Sequence, residues 1–403
     1  MKGFTRIFVT VVLLLTMVSC GQRRAKYVFL FIGDGMGFAN VSLAEAYLAQ
    51  SRGEIGMDPL CFTSFPVLGE ATTFSANRPI TCSSAAGTAL STGFKTKNGM
   101  LGVSPDTTEL KSISYKIHDA GYAVGIMSNV QINHATPASF YGHSASRSSY
   151  YAIGKELPET GFEFFGGGGF IYPNDRNDSE AVSLYDYAEQ GGYTIACGIE
   201  DFNAKKDSSR ILLVQEEGSN KICPYALGRP EGALTLPQIV EAAISVLERN
   251  RKGFFMMAEG GMIDWTAHSQ DAAGTIMEVL DFDQAVEVAY AFYEKHPKET
   301  LIIITADHAT GGLALGRRGY TFDLSPVAAI KSSTTTDNVE AYMNNDTTVS
   351  SVNEAARIGW TTFGHTGDPV PVWAVGVGSE KFAGRQDNTD IPRKICDIMH
   401  VEF

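Results

Sequence analysis

Residues 27–37, YVFLFIGDGMG, are the clearest indication of the fold class of this chain. Its first six residues are a continuous apolar run, which is typical of a β-strand that is buried on both faces of a sheet. The run ends in a glycine-rich turn around Asp34, and a helical pattern follows over about residues 41–50. This order predicts a strand in a parallel sheet followed by a crossover helix.

The same alternation recurs along the chain. Further strands are predicted at residues 123–127, 211–215, 254–258, 301–305 and 370–377, and helices near residues 112–120, 181–190, 236–250 and 275–293. Strands that alternate with helices predict an α/β fold, here a three-layer sandwich in which helices cover both faces of a large, mostly parallel central sheet. The segment of about residues 311–359 is rich in Ser, Thr and Asn and is predicted to be a small irregular insertion.

The composition limits the classes of partner. The chain has 403 residues, of which 44% are hydrophobic and 19% charged, and this balance excludes a disordered chain. Its 45 acidic and 32 basic residues give a net charge of −13, which argues against nucleic acid and anionic lipid surfaces as partners. Because an anionic substrate would be repelled by this field, its binding site must supply concentrated positive charge.

The N-terminus has the pattern of an export signal. Lys2 and Arg6 precede a mainly apolar run over residues 7–18, which is too short to span a bilayer. Cys20 directly after it resembles the lipid-modified cysteine of bacterial lipoproteins; the alternative is ordinary cleavage near Ser19. We therefore expect residues 1–20 to be a lipoprotein-type signal peptide and residues 21–403 to form one domain. That domain would be exported to the periplasm or cell surface and held at the membrane only through a lipid on Cys20.

Five cysteines remain after such a signal: Cys61, Cys82, Cys197, Cys223 and Cys396. The odd number requires at least one unpaired thiol in an exported protein. Because no CxxC or Cys/His zinc spacing occurs, core positions or one or two disulfides are favoured over metal ligation, and the pairing stays open.

Polar residues follow several of the predicted strands. Asp34 follows the first strand, His134 and Thr136 follow the strand at 123–127, and the strand at 254–258 leads to Glu259. Further along come the pairs Asp264 with His268, spaced to share one helical face, and Asp307 with His308. Each residue alone could be a helix cap, a salt bridge or a hydrogen-bonded pair. Together, at the ligand-binding edge of an α/β sheet, carboxylates and imidazoles suit zinc, and carboxylates with a hydroxyl suit magnesium.

The segment TCSSAAGTALSTG, residues 81–93, adds a candidate hydroxyl. Its small residues allow a helix to pack closely and to present a serine at its N-terminus, where free N–H groups favour an anion. The alternative is a tightly packed structural helix with no further role.

With this segment the chain resembles the alkaline phosphatase family. The matching motifs occur in the family's order over about residues 27–380: FLFIGDGMG (29–37), TCSSAAGTALSTGFKTKNG (81–99), HATPASFYGHSASR (134–147), FGGGGF (165–170), MAEGGMIDWTAH (257–268), TADHATGG (305–312) and GHTGDPVPVWAVG (364–376). The resemblance implies a single catalytic domain, hydrolysis of phosphate monoesters with release of inorganic phosphate, and a homodimer.

The resemblance also implies roles for individual residues. Ser83 matches the nucleophile that forms a phosphoserine intermediate, and Arg147 matches the guanidinium that binds two phosphate oxygens. The implied cofactors are two Zn²⁺ and one Mg²⁺, although another divalent metal could take the third site. Their matching ligands are Asp264, His268 and His365 for one zinc; Asp34, Asp307 and His308 for the other; and Asp34, Thr136 and Glu259 for magnesium.

The sequence departs from the family pattern around these positions. Cys82, Ser83 and Ser84 stand where many members have Asp-Ser-Ala, so Ser84 is a second candidate hydroxyl, although the motif register favours Ser83. Cys82 could also suggest a sulfatase, but the sulfatase pattern Cys-x-Pro-x-Arg is missing, because Ser84 and Ala86 occupy the places of the Pro and the Arg. His134 and Trp265 stand where some members have Asp and Lys, and we expect them to tune the third site and the affinity for phosphate.

Two alternatives remain at this point. One is a phosphodiesterase of the same superfamily, which the presence of Arg147 and of a complete third-site set disfavours. The other is a surface lipoprotein that binds metal or phosphate without turnover, which would require a missing ligand or nucleophile.

Overall fold

The computed structural model describes residues 24–216, 222–330 and 346–403. The strands are β1 Tyr27–Gly33, β2 Val67–Thr72, β3 Ala123–Ser128, β4 Phe164–Gly167, β5 Thr194–Cys197, β6 Ile211–Val214, β7 Phe254–Gly260, β8 Thr300–Thr305, β9 Ala309–Thr310, β10 Ala314–Leu315, β11 Ile358–Gly359, β12 His365–Thr366, β13 Val370–Gly376 and β14 Gly384–Asp387. The α-helices are α1 Phe38–Ser51, α2 Ser83–Thr92, α3 Ile113–Asp119, α4 Ala135–Ala138, α5 Tyr150–Glu156, α6 Leu184–Gln190, α7 Gly198–Lys205, α8 Leu236–Leu247, α9 Met262–His268, α10 Ala272–Lys295, α11 Ser325–Ala328, α12 Asp346–Ala356 and α13 Asp390–Met399.

Ten strands form one sheet in the order β14-β2-β13-β8-β1-β7-β3-β4-β6-β5. All neighbouring pairs are parallel except those of β13, which runs antiparallel to both β2 and β8. The central register pairs Ile32 of β1 with Glu259 of β7 and with Thr305 of β8, and it pairs Ser128 of β3 with Glu259. The carboxyl ends of four strands therefore meet at one place on the sheet edge.

Both faces of the sheet are covered. All seven residues of β1 are buried, and because alternate side chains of a strand point to opposite faces, both sides must be packed. On one face the ring of Phe31 contacts Phe282 of α10 at 5.8 Å between centroids. One group of helices packs around α10 with α1 and α8, and another around α2 with α4 and α13. The predicted α/β class with a large, mostly parallel sheet is confirmed.

The six predicted strands are all present, with ends within about two residues of the expected ones. Of the strands in the ten-stranded sheet, the sequence did not predict β2, β4, β5 or β14, nor did it predict the antiparallel direction of β13. These elements are short or polar, as in Gly384–Asp387, and a strand's direction depends on its partners rather than on its own pattern.

The segment predicted as an insertion adds no strand to the ten-stranded sheet where the structure describes it. Within residues 311–330 and 346–359, β10 pairs with β11 in a separate two-stranded sheet. Leu313, Leu324 and Ile358 from this segment form a small second apolar cluster with Leu43 of α1 and Ile276 of α10.

Of the two possibilities for the cysteines, the structure supports packing without disulfides. Cys61, Cys82, Cys223 and Cys396 carry free thiols, so no disulfide forms among the five described cysteines. Cys223 and Cys396 are fully buried. The predicted signal peptide and Cys20 lie outside the described residues. No helix of the described ranges is both long enough and apolar enough to cross a membrane.

Candidate active site and metal centres

Three buried carboxylates meet where the central strands end. Asp34 directly follows β1, Glu259 lies near the end of β7, and Asp307 follows β8. All three are 0% exposed. The in-register ends of these strands place the carboxylates beside one another, as the sequence predicted for the ligand-binding edge of an α/β sheet.

The first cluster comprises Asp264, His268 and His365, with one ligand atom from each within 4.8 Å of the others. Asp264 and His268 lie one turn apart on α9, with His268 Nε2 at 3.2 Å from a carboxylate oxygen of Asp264. His365 comes from β12, and its Nε2 lies 3.8 Å from Asp264. Since His365 Nδ1 lies 2.8 Å from the carbonyl oxygen of Thr81 and donates to it, its Nε2 is left free to bind a metal.

The second cluster comprises Asp34, Asp307 and His308. His308 Nε2 lies 3.3 Å from Asp34 Oδ1 and 3.2 Å from Asp307 Oδ2. The hydroxyl of Ser83, at the first residue of α2, lies 3.3 Å from the same nitrogen. The serine is thus in reach of anything that this cluster holds.

The third cluster comprises Asp34, His134 and Glu259, so Asp34 is shared between two clusters. Thr136, two residues after His134, is fully buried on α4, and its hydroxyl has no hydrogen-bond partner within the described residues. Glu259 Oε2 accepts a hydrogen bond from the hydroxyl of Ser128, whereas Glu259 Oε1 has no hydrogen-bond partner within the described residues.

These clusters have the chemistry of metal sites. Buried polar atoms are normally hydrogen-bonded, yet several atoms of these clusters lack a hydrogen-bond partner in the part of the chain that the structure describes. They are both carboxylate oxygens of Asp34, Asp307 Oδ2, Glu259 Oε1, Thr136 Oγ1 and His134 Nδ1. Carboxylate and hydroxyl oxygens that point inward without partners fit divalent cations.

The electrostatics lead to the same conclusion. Burial, and then the charges of Asp307 and Asp264, raise the pKa of Asp34 well above its usual value. Burial raises the pKa of Asp307 to about 8 and that of Glu259 to about 7. Burial and the neighbouring His365 lower the pKa of His308 well below its usual value. Without cations the site resists carrying its own negative charges, and bound metal ions would remove that penalty.

Ser83 and not Ser84 faces the second cluster. Cys82 precedes α2 in an extended conformation, and Ser83 Oγ lies beside His308. The hydroxyl of Ser84 instead lies 3.3 Å from the sulfur of Cys82. The geometry therefore favours Ser83 as the reacting hydroxyl, in agreement with the motif register.

Arg147 completes the site from the loop after α4. One guanidinium nitrogen lies 3.2 Å from His134 Nε2, and the backbone N–H of Arg147 donates to the carbonyl of Gly99 at 2.7 Å. The His134 ring packs edge-on against Trp265, with 5.8 Å between centroids. The two positions that depart from the family pattern thus pack against each other, and His134 also contacts Arg147.

Sequence reasoning missed two residues that support these clusters. The side-chain oxygen of Asn129 accepts a hydrogen bond at 2.8 Å from the N–H of Gly261, in the turn between Glu259 and Asp264. Thr310 contacts both the first and the second cluster. Thr310 belongs to the quoted motif TADHATGG, but its spacing gave no sign of its contacts.

The fold and the site together define a metal-dependent hydrolase of the α/β class. The family profile described as "Alkaline phosphatase" matches residues 25–163 and 165–401. Alkaline phosphatases 3 and 4 of Bacillus subtilis are 31% and 33% identical to this chain, each over 93% of it and over 89% and 88% of their own lengths. The chain belongs to the alkaline phosphatase family, and it is a metal-dependent phosphomonoester hydrolase.

Solved structures agree with this assignment. A cold-active alkaline phosphatase from a psychrophilic Shewanella superposes with a TM-score of 0.82 at 28% identity, covering 93% of this chain and 99% of that one. The alkaline phosphatase from the Antarctic bacterium TAB5 superposes with a TM-score of 0.76 at 29% identity, covering 95% of this chain and 100% of that one. Two variants of the TAB5 enzyme, with one histidine replaced by Glu or Asp, are described with Mg bound in the M3 site.

Proposed function

We propose that this enzyme hydrolyses phosphate monoesters through a phosphoserine intermediate on Ser83, at a site that holds two zinc ions and one magnesium ion. The observation that carries the proposal is the position of Ser83 Oγ, 3.3 Å from His308 Nε2 and at the N-terminus of a buried helix. A hydroxyl at this place can be activated by a cation in the second cluster, and the helix N-terminus favours the phosphate that it attacks.

The proposed ligands divide by chemistry. The carboxylate and imidazole ligands of the first and second clusters suit zinc, whereas in the third cluster the oxygen set of Asp34, Thr136 and Glu259 suits magnesium. Bound metal ions would lower the pKa of the serine hydroxyl and of water and would neutralise charge on the phosphate. On a chain with a net charge of −13, they would be the main source of the positive charge that the substrate needs.

The chain's own residues carry the covalent steps. Ser83 Oγ gives up its proton and forms a bond to phosphorus while the bond from phosphorus to the ester oxygen breaks, and that oxygen takes up a proton and leaves as the alcohol. A water oxygen then gives up a proton and bonds to the phosphorus, the bond to Ser83 breaks, Ser83 Oγ regains a proton, and inorganic phosphate is released. The same phosphate can rebind as an inhibitor, because it fits the site that the ester phosphate occupied.

Arg147 is proposed to bind two non-bridging oxygens of the phosphate. Its guanidinium donates a hydrogen bond to Nε2 of the neutral His134 ring, and none of the described carboxylates forms an ion pair with it. The fork of N–H donors is therefore available for bidentate binding. A monoester leaves more oxygens free for such binding than a diester, which favours monoesters as substrates.

His134 and Trp265 are proposed to tune the third site. His134 adds a nitrogen that zinc or cobalt accepts readily and magnesium does not. Trp265 stands where some relatives have a lysine, so this site has one cation fewer near the phosphate, and the product should bind less tightly. The TAB5 variants described with Mg in the M3 site support a link between a histidine and metal choice in this family.

We further propose that the enzyme is exported, anchored by a lipid on Cys20, and homodimeric. The support is the charge and apolar pattern of residues 1–20 and the family resemblance. A membrane contact would then come only from the anchor.

The function is tested by comparing turnover of p-nitrophenyl phosphate with that of bis-p-nitrophenyl phosphate, together with elemental analysis of the purified protein. We expect the monoester to be hydrolysed much faster, with about two zinc and one magnesium per chain. Faster turnover of the diester would make the protein a phosphodiesterase of the same superfamily. Turnover of neither substrate by the metal-loaded protein would contradict the proposal.

A further inference from the structure

Thr310 lies between the first two metal clusters. It is 1% exposed, and β9 pairs with β12 so that Thr310 is opposite His365 in the ladder. Its hydroxyl oxygen is 2.5 Å from Asp264 Oδ1, in the first cluster, and 3.2 Å from His308 Nδ1, in the second. One hydroxyl group therefore contacts a proposed ligand of each zinc ion.

The direction of these two hydrogen bonds follows from counting protons. A hydroxyl has one proton to donate, and an ionised carboxylate can only accept, so Thr310 donates to Asp264. Thr310 must then accept from His308, which requires the proton of that neutral imidazole to be on Nδ1. The other nitrogen, Nε2, is left with a free lone pair directed at Asp34 and Ser83, where a metal would be.

The backbone fixes the hydroxyl in this position. The N–H of Thr310 donates to the carbonyl of Gly35 at 3.1 Å, and Gly35 itself has a φ of +70°. A Cβ atom at Gly35 would come within 2.7 Å of Asp264 Oδ1 and 2.8 Å of Thr310 Oγ1. Residue 35 thus has to be glycine for the threonine and the aspartate to approach each other.

We propose that Thr310 is a positioning residue that couples the two zinc sites. Its hydroxyl orients Asp264 in one site and holds His308 in its metal-binding tautomer in the other. The inference rests on the proposed assignment of these clusters as zinc sites. Partners that orient metal ligands commonly contribute about 10- to 100-fold in metal affinity, and a shared partner should affect both sites at once.

The test measures zinc affinity directly. Metal-stripped wild type, Thr310→Val and Thr310→Ser are titrated with Zn²⁺ alone in competition with a chromophoric chelator. We expect Thr310→Val to lose about 10- to 100-fold in affinity for both zinc equivalents, and Thr310→Ser, which keeps the hydroxyl, to bind like wild type. Thr310→Ala removes the same hydroxyl with less bulk and should show the same loss.

The matched control is Thr300→Val. Thr300 is the first residue of β8, at the end of the strand away from the metal clusters. Thr300 is also fully buried, but its hydroxyl donates to the carbonyl of His296 at 2.9 Å, away from the clusters. It should bind zinc like wild type. Unchanged zinc affinity in both hydroxyl-free variants at residue 310, or weakening of only one equivalent, would overturn the coupling while leaving the proposed function intact. A wild type that binds fewer than two zinc ions would instead refute the assignment of the clusters.

Discussion

Replacing Glu278 by Gln should remove one large contribution to the pH dependence of the enzyme's stability. Glu278 lies on α10 and is 1% exposed; burial, followed by the charge of Asp281, raises the pKa of its carboxyl to about 8. One oxygen accepts from the N–H of Ala226 at 2.7 Å, and the other from the side-chain amide of Asn129 at 3.3 Å. The nearby Arg229 makes a bidentate pair with Asp281.

The sign of the effect follows from proton counting. In the unfolded chain this carboxyl has its ordinary pKa, near 4.5, so it loses its proton well before the folded protein does. Between these two pKa values the folded state binds more protons, and the free energy of unfolding therefore falls as the pH rises. With 1.36 kcal/mol for each pKa unit, the Glu278 contribution lost between pH 5 and pH 9 is about 4 kcal/mol.

The assay is urea unfolding of wild type and Glu278→Gln at pH 5, 7 and 9. The difference in the free energy of unfolding between the two proteins reports the titration of Glu278 alone, because all other titrating groups are shared. From pH 5 to pH 9 the free energy of unfolding of wild type should fall by about 4 kcal/mol more than that of the variant. The control Glu248→Gln, at an exposed position, should show the same pH dependence as wild type. Parallel stability curves for wild type and Glu278→Gln would show that Glu278 does not keep its proton to a higher pH in the folded protein than in the unfolded chain.

Three further predictions concern substrate, metal and location. Arg147→Ala should raise KM and weaken inhibition by inorganic phosphate, because a bidentate contact is lost; unchanged phosphate inhibition would exclude this role. His134→Asp should make activity more dependent on added magnesium and more selective for it, and titration of metal-stripped enzymes with magnesium, zinc and cobalt that gave superimposable profiles would contradict this. Cys20→Ala should move the protein into the soluble fraction on cell fractionation, and persistent membrane association would count against the anchor.

Much of the fold was predictable because its signals are local. The run YVFLFI predicts the buried strand β1, and the position of Asp34 after it predicts a ligand at the sheet edge. The direction of β13 and the existence of β14 were not predictable, since both depend on pairing with β2, far away in the sequence.

The site divides in the same way. The spacing of Asp264 and His268 predicts a shared helical face, and the structure confirms it. The role of Thr310 was hidden, because it appears only when three distant segments of the chain meet. The raised pKa of Glu278 was also hidden, since burial and the position of Asp281 are properties of the folded chain.

Whether Ser83 carries the phosphoryl group is decided by measuring turnover of p-nitrophenyl phosphate by Ser83→Ala and Ser84→Ala at equal metal content. Removing the nucleophile should lower kcat by about 10³-fold or more. Ser84→Ala should lose far less, because the Ser84 hydroxyl contacts Cys82 and not the second cluster. An inactive Ser84→Ala enzyme beside an active Ser83→Ala enzyme would show that Ser83 is not the nucleophile.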